Sequence, residues 1–440
     1  MLQRIIRTIV LALLRLYYPR IEVEGRENLP TSGPVIFVLN HPNGLLDPLL
    51  LIATLGRPVS FLAKNTLFNN WLGRTACQAF GALPVYRQRD AGAGDNTQAK
   101  NDLTFARCHQ LLRDGVALAL FPEGTTHSEA QLLPLRTGSA RIALGAEDSS
   151  DWRLGLNLVP VGLWYEDKRI FRSSVLLIVG KPWSIAGHAD TYRADREQAV
   201  DDLTAGIAVR LGEVVFQAGN ADLLRGLPVM VQWTIDHLAL GARERRKQPA
   251  ALLAATERLA ADDAPRMAEL SASAHRYART LRLLGISDPW SLDLPVARRG
   301  RYLAMGALLV VSAPLAVLGL IISYIPYRMG GIVSARLTDE DQVLGTIKLI
   351  AGLVLVPIGW IVAALLVGFL AGAVWGWLLL ALAPLLAYIA LRWSELWREF
   401  RASASATWLR VFRPDLTAQL VARRQVLSER IVTAVLQLND

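Results

Sequence analysis

Pro34-Val35-Ile36-Phe37-Val38-Leu39-Asn40-His41-Pro42-Asn43-Gly44-Leu45-Leu46-Asp47 is an apolar run that breaks into a turn at a histidine. Residues 35–39 are apolar at every position, the pattern of a strand covered on both faces. Pro42-Asn43-Gly44 is turn chemistry, so His41 and Asp47 are predicted at a strand-to-helix junction. A neutral imidazole takes a proton from an alcohol near pH 7, and a nearby carboxylate fixes its tautomer and stabilises the imidazolium that forms. With no serine or cysteine between them, the pair reads as a base acting on a hydroxyl that a substrate brings. In isolation a His and an Asp in a loop are equally ordinary turn residues, and the rest of the chain has to decide.

Between about residues 22 and 180, short β-branched or apolar runs alternate with helical stretches, the signature of an α/β domain. Strands are predicted at 35–39, 59–63, 116–121, 158–163 and 175–179, and helices at 48–55, 67–80, 101–113 and 138–147. This arrangement places the chemistry-bearing motifs at strand-to-helix turns. From 184 to 301 the chain turns helical, alanine-rich and charged. Its clusters Arg243, Arg245, Arg246 and Lys247, and Arg298, Arg299 and Arg301, fit a solvated face as well as they fit contact with anionic lipid.

The chain has 440 residues, of which 52 % are hydrophobic, and a net charge of +9. That length allows two or three domains. The basic residues flank apolar spans and do not stud an aromatic domain, which points to a membrane surface and away from nucleic acid. The only two cysteines, Cys77 and Cys108, form no Cys-x-x-Cys motif and read as buried thiols in a reducing compartment. Residues 1–20 read as an amphipathic anchoring helix, because Arg4, Arg7 and Arg15 are spread along it and no small-residue cleavage site follows.

The segment 302–392 reads as membrane-embedded. Residues 302–325 are apolar around Pro314, and 349–391 is an apolar block too long for one crossing of a core about 30 Å thick, with its turn marked by Gly368, Gly372 and Gly376. Three crossings would put the arginine-rich tail 393–440 opposite the arginine-rich segment before 302. The positive-inside rule therefore predicts that Pro314 breaks the first segment into a re-entrant element, leaving both basic flanks and the α/β domain on the cytoplasmic face.

Three more segments bear on the His–Asp pair. Gly81-Ala82-Leu83-Pro84-Val85-Tyr86-Arg87 ends in an arginine, whose guanidinium offers paired donors to a phosphate. Phe121-Pro122-Glu123-Gly124-Thr125-Thr126-His127-Ser128 gives a fixed carboxylate, a permissive glycine and two hydroxyls at a strand's end. Leu158-Val159-Pro160-Val161-Gly162 is a buried strand interrupted by proline. In order and spacing these four segments resemble the glycerolipid acyltransferase family, the glycerol-3-phosphate and lysophosphatidic acid acyltransferases. The resemblance covers about residues 21–182 and includes Gly25-Arg26-Glu27-Asn28-Leu29-Pro30 and Gly33-Pro34-Val35-Ile36.

The resemblance implies an acyltransferase domain over 21–183, a mixed sheet flanked by helices, followed by the helical segment and the C-terminal membrane helices. It makes His41 the base and Asp47 its partner, and gives substrate-binding roles to Asn40, Lys64, Arg87, Glu123, Gly124, Thr125 and Arg136. It implies a long-chain acyl thioester as donor, acyl-CoA or acyl-carrier protein, with no other cofactor. The acceptor is glycerol 3-phosphate or a lysophospholipid such as lysophosphatidic acid, and the bilayer is a partner. Two positions depart from the family pattern. Most members place four residues between the His and the Asp, whereas five intervene here, as in a subset of the glycerol-3-phosphate enzymes; a non-helical turn absorbs the extra residue. Many members carry arginine after Glu-Gly-Thr, where this chain has Thr126, and Arg136 is the replacement cation. Two alternatives stand beside this reading: an enzyme that remodels another lysophospholipid, and an inactive membrane scaffold. The six histidines lack metal-ligand spacing, there is no His-Glu-x-x-His, and no phosphate-binding loop ends in Gly-Lys-Ser/Thr.

Overall fold

A computed structural model of the chain describes residues 2–87, 96–129, 131–165, 167–168, 170–215, 217, 263–286, 299–338 and 340–436. The expected clusters at 243–247 and Arg298 lie outside the described residues, as do the side chains of Arg4, Arg7, Arg299 and Arg301. The chain forms two units, the first an α/β unit and the second helical.

The α/β unit carries an eight-stranded mixed sheet. Its strands are β1 (Arg20–Glu24), β2 (Val35–Leu39), β3 (Val59–Lys64), β4 (Ala82–Val85), β5 (Ala117–Leu120), β6 (Asn157–Tyr165), β7 (Ser174–Val179) and β8 (Trp183–Ser184). They lie in the order β1-β7-β6-β2-β5-β3-β4, with β8 beside β6. Strands β6, β2, β5, β3 and β4 are mutually parallel, and β7 is antiparallel to β6. All five residues of β2 are buried, so this strand is covered on both faces as its composition predicts. Its helices are α1 (Leu2–Tyr17), α2 (Leu46–Leu55), α3 (Trp71–Ala79), α4 (Thr97–Arg113), α5 (Gly138–Asp148), α6 (Ala189–Ala194) and α7 (Arg196–Gly212).

One face of the central strands presents Ile36, Val38, Leu118, Leu120 and Leu158 to Cys108 and Leu112 of α4, Ile142 and Leu144 of α5, and Leu203 and Ile207 of α7. The last contact moves a boundary. Strand β8 and helices α6 and α7 fall in the segment expected to be separate from residue 184 onward, yet Ile185, Ala199 and Val200 belong to the sheet's own core. Burial pushes the Cys108 thiol up to about 12, whereas Cys77 is only partly buried. At the opposite end of the sheet from His41, the Arg57 guanidinium donates to the carbonyls of Pro30, Gly33 and Gly115.

Caps explain where helices begin. The helix expected from 67 starts at Trp71, because Asn70 accepts from the Gly73 N–H at 2.7 Å and the preceding Asn65–Phe68 is a short 3₁₀ turn. Helix α4 starts four residues earlier than expected, at Thr97, behind Asn96, which accepts from the Ala99 N–H. Near the end of α1, Leu14, Tyr17 and Tyr18 are buried while Thr8, Ile9, Ala12 and Arg15 are exposed.

The helical unit contains α8 (Ala264–Leu283), α9 (Arg299–Leu337), α10 (Asp341–Ala371) from Ile347 onward, α11 (Ala373–Phe412) and α12 (Pro414–Leu436), while Asp341–Thr346 belong to the α/β unit. Three stretches, Tyr302–Leu337, Val343–Ala371 and Ala373–Phe412, are long and apolar enough to cross a membrane. Helix α9 runs unbroken through Pro314 and Pro326, so the expected re-entrant break at Pro314 does not occur. Neighbouring helices and hydroxyl side chains compensate a proline's lost hydrogen bond in such spans, and here long apolar runs flank it on both sides. The expected turn in the long apolar block is at Gly372, between α10 and α11, at φ +104°. Helices α9 and α11 pack antiparallel: the Trp393 indole donates to the Leu309 carbonyl at 2.9 Å, and Gly319 lies against the Leu386 carbonyl. Trp360 of α10 donates to Ser323 Oγ of α9 at 3.0 Å, and Tyr277 of α8 donates to the Leu420 carbonyl of α12 at 3.1 Å.

Two close fits in the α/β unit have measurable consequences. A methyl group on Gly162 of β6 would meet the Val214 carbonyl at the end of α7, so Gly162→Ala is expected to destabilise the protein by about 1–3 kcal/mol, read as a lowered thermal midpoint in detergent. His109 of α4 is packed by Gly145 of α5, and burial first, then the Arg113 charge, holds its pKa below the ordinary value. Below about pH 6.5 the unfolded chain binds a proton that the folded chain resists, so this contribution is full above that pH and is lost as pH falls. The thermal midpoint of the parent should therefore fall more steeply than that of His109→Leu between pH 7.5 and pH 5.5.

Candidate active site

Strand β2 delivers Asn40 and His41 to the sheet's C-terminal edge, and α2 opens at Leu46, which places Asp47 in its first turn. Only Asp47 is helical. The intervening turn has Gly44 at φ +48° and folds the two residues together despite their separation, so that His41 Nδ1 lies 2.8 Å from Asp47 Oδ2. The His41 ring stacks on Phe121 with centroids 4.1 Å apart. Its side chain is 17 % exposed while that of Asp47 is fully enclosed. The ring is reachable and the carboxylate is sealed. With Nδ1–H donated to the carboxylate, Nε2 carries a lone pair and has no partner among the described residues.

The sealed carboxylate is fully engaged. Oδ2 also accepts from the Asn43 backbone N–H at 2.8 Å, and Oδ1 accepts from the Tyr165 hydroxyl. Tyr165 closes β6, and burial above all, followed by the Asp47 charge, holds its hydroxyl protonated well above the ordinary tyrosine range. Tyr18, just past α1, is fully buried; its hydroxyl accepts from Asn43 Nδ2 at 3.0 Å, and its ring lies 5.6 Å from that of Tyr165. Burial likewise raises the Tyr18 pKa.

The turn after β5 braces His41 from the other side. Glu123 is buried, and Oε1 accepts the His41 N–H at 3.1 Å. Its Oε2 accepts the Leu133 N–H at 3.0 Å and is bonded by His127 Nε2. His127 returns its own N–H to the His41 carbonyl at 3.2 Å. Gly124 adopts φ +67°, and the Arg136 side chain covers the space a Cβ would fill. Arg136 is exposed there, with Thr125 partly buried in the same turn. Asn40 gives both ends of its amide to the Leu163 backbone, at 3.0 and 2.7 Å, and so pins β2 to β6.

Lys64 is the last residue of β3, in register with Val85 of β4, and Arg87 follows two residues later. Because β2, β5, β3 and β4 are adjacent and parallel, all these residues leave the same edge. Three strand steps span about 14 Å, so the candidate cations line that edge beside His41. The backbone of Tyr86 is clamped at N–H and C=O by Asn101 of α4, at 2.9 and 2.8 Å, which fixes the departure of Arg87.

Sequence reasoning missed Tyr165, Tyr18, Asn43, His127 and Lys168. Lys168 donates to the Pro42 carbonyl at 3.0 Å and to Ser128 Oγ at 2.6 Å, tying the first and third motifs together. The one available signal was Tyr165, an aromatic with a polar tip ending a buried run.

The Acyltransferase family model matches residues 20–164. Human 1-acyl-sn-glycerol-3-phosphate acyltransferase alpha is 32 % identical over 147 residues, covering 33 % of this chain and 48 % of the human protein. Glycerol-3-phosphate O-acyltransferase 2 of Saccharomyces cerevisiae is 27 % identical over 300 residues, covering 63 % of this chain and 39 % of the yeast protein. The crystal structure of the 1-acyl-sn-glycerophosphate acyltransferase PlsC from Thermotoga maritima is 19 % identical with a TM-score of 0.33, covering 48 % of this chain and 81 % of that one. The chain spans less than half the length of these curated relatives. Residues 20–164 thus form an Acyltransferase-family domain, similar in sequence to both glycerol-3-phosphate and 1-acylglycerol-3-phosphate acyltransferases.

Proposed function

We propose that the protein transfers a long-chain acyl group from a thioester, acyl-CoA or acyl-carrier protein, to a hydroxyl of glycerol 3-phosphate or lysophosphatidic acid, with His41 as general base. One observation carries the reading: an imidazole whose Nδ1 is held by a sealed carboxylate while its Nε2 has no partner among the described residues, at the sheet edge that also carries Lys64 and Arg87. Nε2 takes the proton of the acceptor hydroxyl as that oxygen attacks the thioester carbonyl. The new C–O bond forms, the C–S bond breaks, and the imidazolium returns the proton to the departing thiolate. Asp47 stabilises the imidazolium, and no acyl-enzyme is involved. Lys64, Arg87 and Arg136 hold the acceptor's phosphate so that its hydroxyl lies at Nε2, which turns binding into orientation.

Glycerol 3-phosphate is the acceptor we favour, because the similarity to the yeast enzyme of that name extends over 63 % of this chain. Thr126, where many family members carry arginine, supports a second reading in which the acceptor is another lysophospholipid. Both the acyl chain and the product are lipids, and withdrawing them into water costs about 0.8 kcal/mol per CH₂. The three apolar helices and the half-exposed α1 fit a catalytic domain held at the bilayer.

The test is the full chain purified in detergent, given labelled acyl donor and each acceptor in parallel. His41→Ala and Asp47→Asn should each lower turnover by about 100-fold or more; a fully active His41→Ala protein would end the mechanism. Arg136→Ala should raise the acceptor's KM about tenfold with little change for the donor, and an equal rise in both would remove its assignment.

A further inference from the structure

We propose that Tyr165 is a positioning residue for the His41–Asp47 pair, its hydroxyl holding the far oxygen of Asp47 so that the near oxygen stays aligned on His41 Nδ1. The inference rests on the reading of His41 as base and assigns the pair a third, buried member.

The geometry is specific. Asp47 Oδ2 serves two donors, His41 Nδ1 and the Asn43 N–H, both from the preceding turn. Oδ1 is held from a different strand, by Tyr165 at the end of β6. Bonds to both oxygens fix the plane of the carboxylate. Remove the Tyr165 hydroxyl and the side chain is tethered by Oδ2 alone, with a buried oxygen left unsatisfied. The Tyr165 ring is itself fixed, 8 % exposed and packed on Tyr18, whose hydroxyl holds the Asn43 side chain. Two buried tyrosines thus hold the turn that carries the pair, Tyr18 at Asn43 and Tyr165 at Asp47.

Among the described residues, the other titratable or charged groups near His41 are Glu123 at its backbone N–H, His127 at its carbonyl, Lys168 at the Pro42 carbonyl and Arg136 over Gly124. None of them replaces a donor on Oδ1.

Tyr165→Phe keeps the ring and removes only the hydroxyl. Turnover should fall about 10- to 100-fold with both KM values within about twofold, and the acid limb of the rate profile should move down, because a carboxylate out of line supports the imidazolium less. An activity-independent reading comes from diethyl pyrocarbonate labelling of His41, followed against pH by peptide mass spectrometry. Its half-maximal pH should fall with the acid limb in Tyr165→Phe and stay in place in Tyr192→Phe, whose ring packs on Trp152 and not on the pair. An unchanged labelling curve in Tyr165→Phe would overturn the inference, even with turnover reduced. A wild-type chain inactive on every acceptor would instead remove the functional reading, and the labelling curve would still decide the role of Tyr165.

Discussion

Strand β2 lies hydrogen-bonded beside β5, with Ile36 opposite Leu118 and Val38 opposite Leu120. This register is the constraint on which the site depends. Parallel neighbours end on the same edge, so the residue after Asn40 and the turn after Leu120 emerge together. A His41 N–H that would otherwise be unpaired at a strand's end meets the Glu123 carboxylate, and the His127 N–H meets the His41 carbonyl. Slipping the pair by one residue would turn Ile36 and Val38 away from the core they share with α4, α5 and α7, and the same burial that stabilises the sheet fixes the histidine's position.

Two enclosed carboxylates, Asp47 and Glu123, hold His41. Enclosing a carboxylate costs several kcal/mol in lost hydration and is tolerated only when its oxygens find donors. Each finds three, from backbone N–H groups, an imidazole and, for Asp47, a tyrosine. They differ in what they hold. Glu123 binds the backbone around His41 and sets where the residue is, whereas Asp47 binds the ring and sets which way it faces. The sequence reading grouped Glu123 with the acceptor site; its place in the structure is behind His41, and Arg136 over Gly124 is the group of that motif that faces outward.

What could be read from the sequence follows from how local each signal was. Strand 35–39 was legible to the residue because unbroken burial leaves an unbroken apolar run. Strand β1 was not, since Arg20, Glu22 and Glu24 lie on a sheet edge and give it the look of a loop. Strand β4 is four residues long and contains Pro84, which is compatible with a sheet edge and resembles a breaker in sequence. The His–Asp pair was legible because both members share one turn. Tyr165 and Lys168 were not, because their contacts span 118 and 126 residues of chain and follow only from strand order. Pro314 misled for a related reason: its usual effect is a break, and the neighbouring helices that tolerate it are invisible to a local window.

The His41 ring has one nitrogen committed inward and one turned outward. On the proposed chemistry that single outward nitrogen is both where the acceptor's hydrogen arrives and where the thiol's hydrogen departs. Each cycle then ends with the ring in the state in which it began, with no net exchange with bulk solvent and no second shuttle. Attacking oxygen and leaving sulfur must therefore both pass within reach of one lone pair, which confines the two substrates to a common side of the imidazole and orders their carbonyl between them.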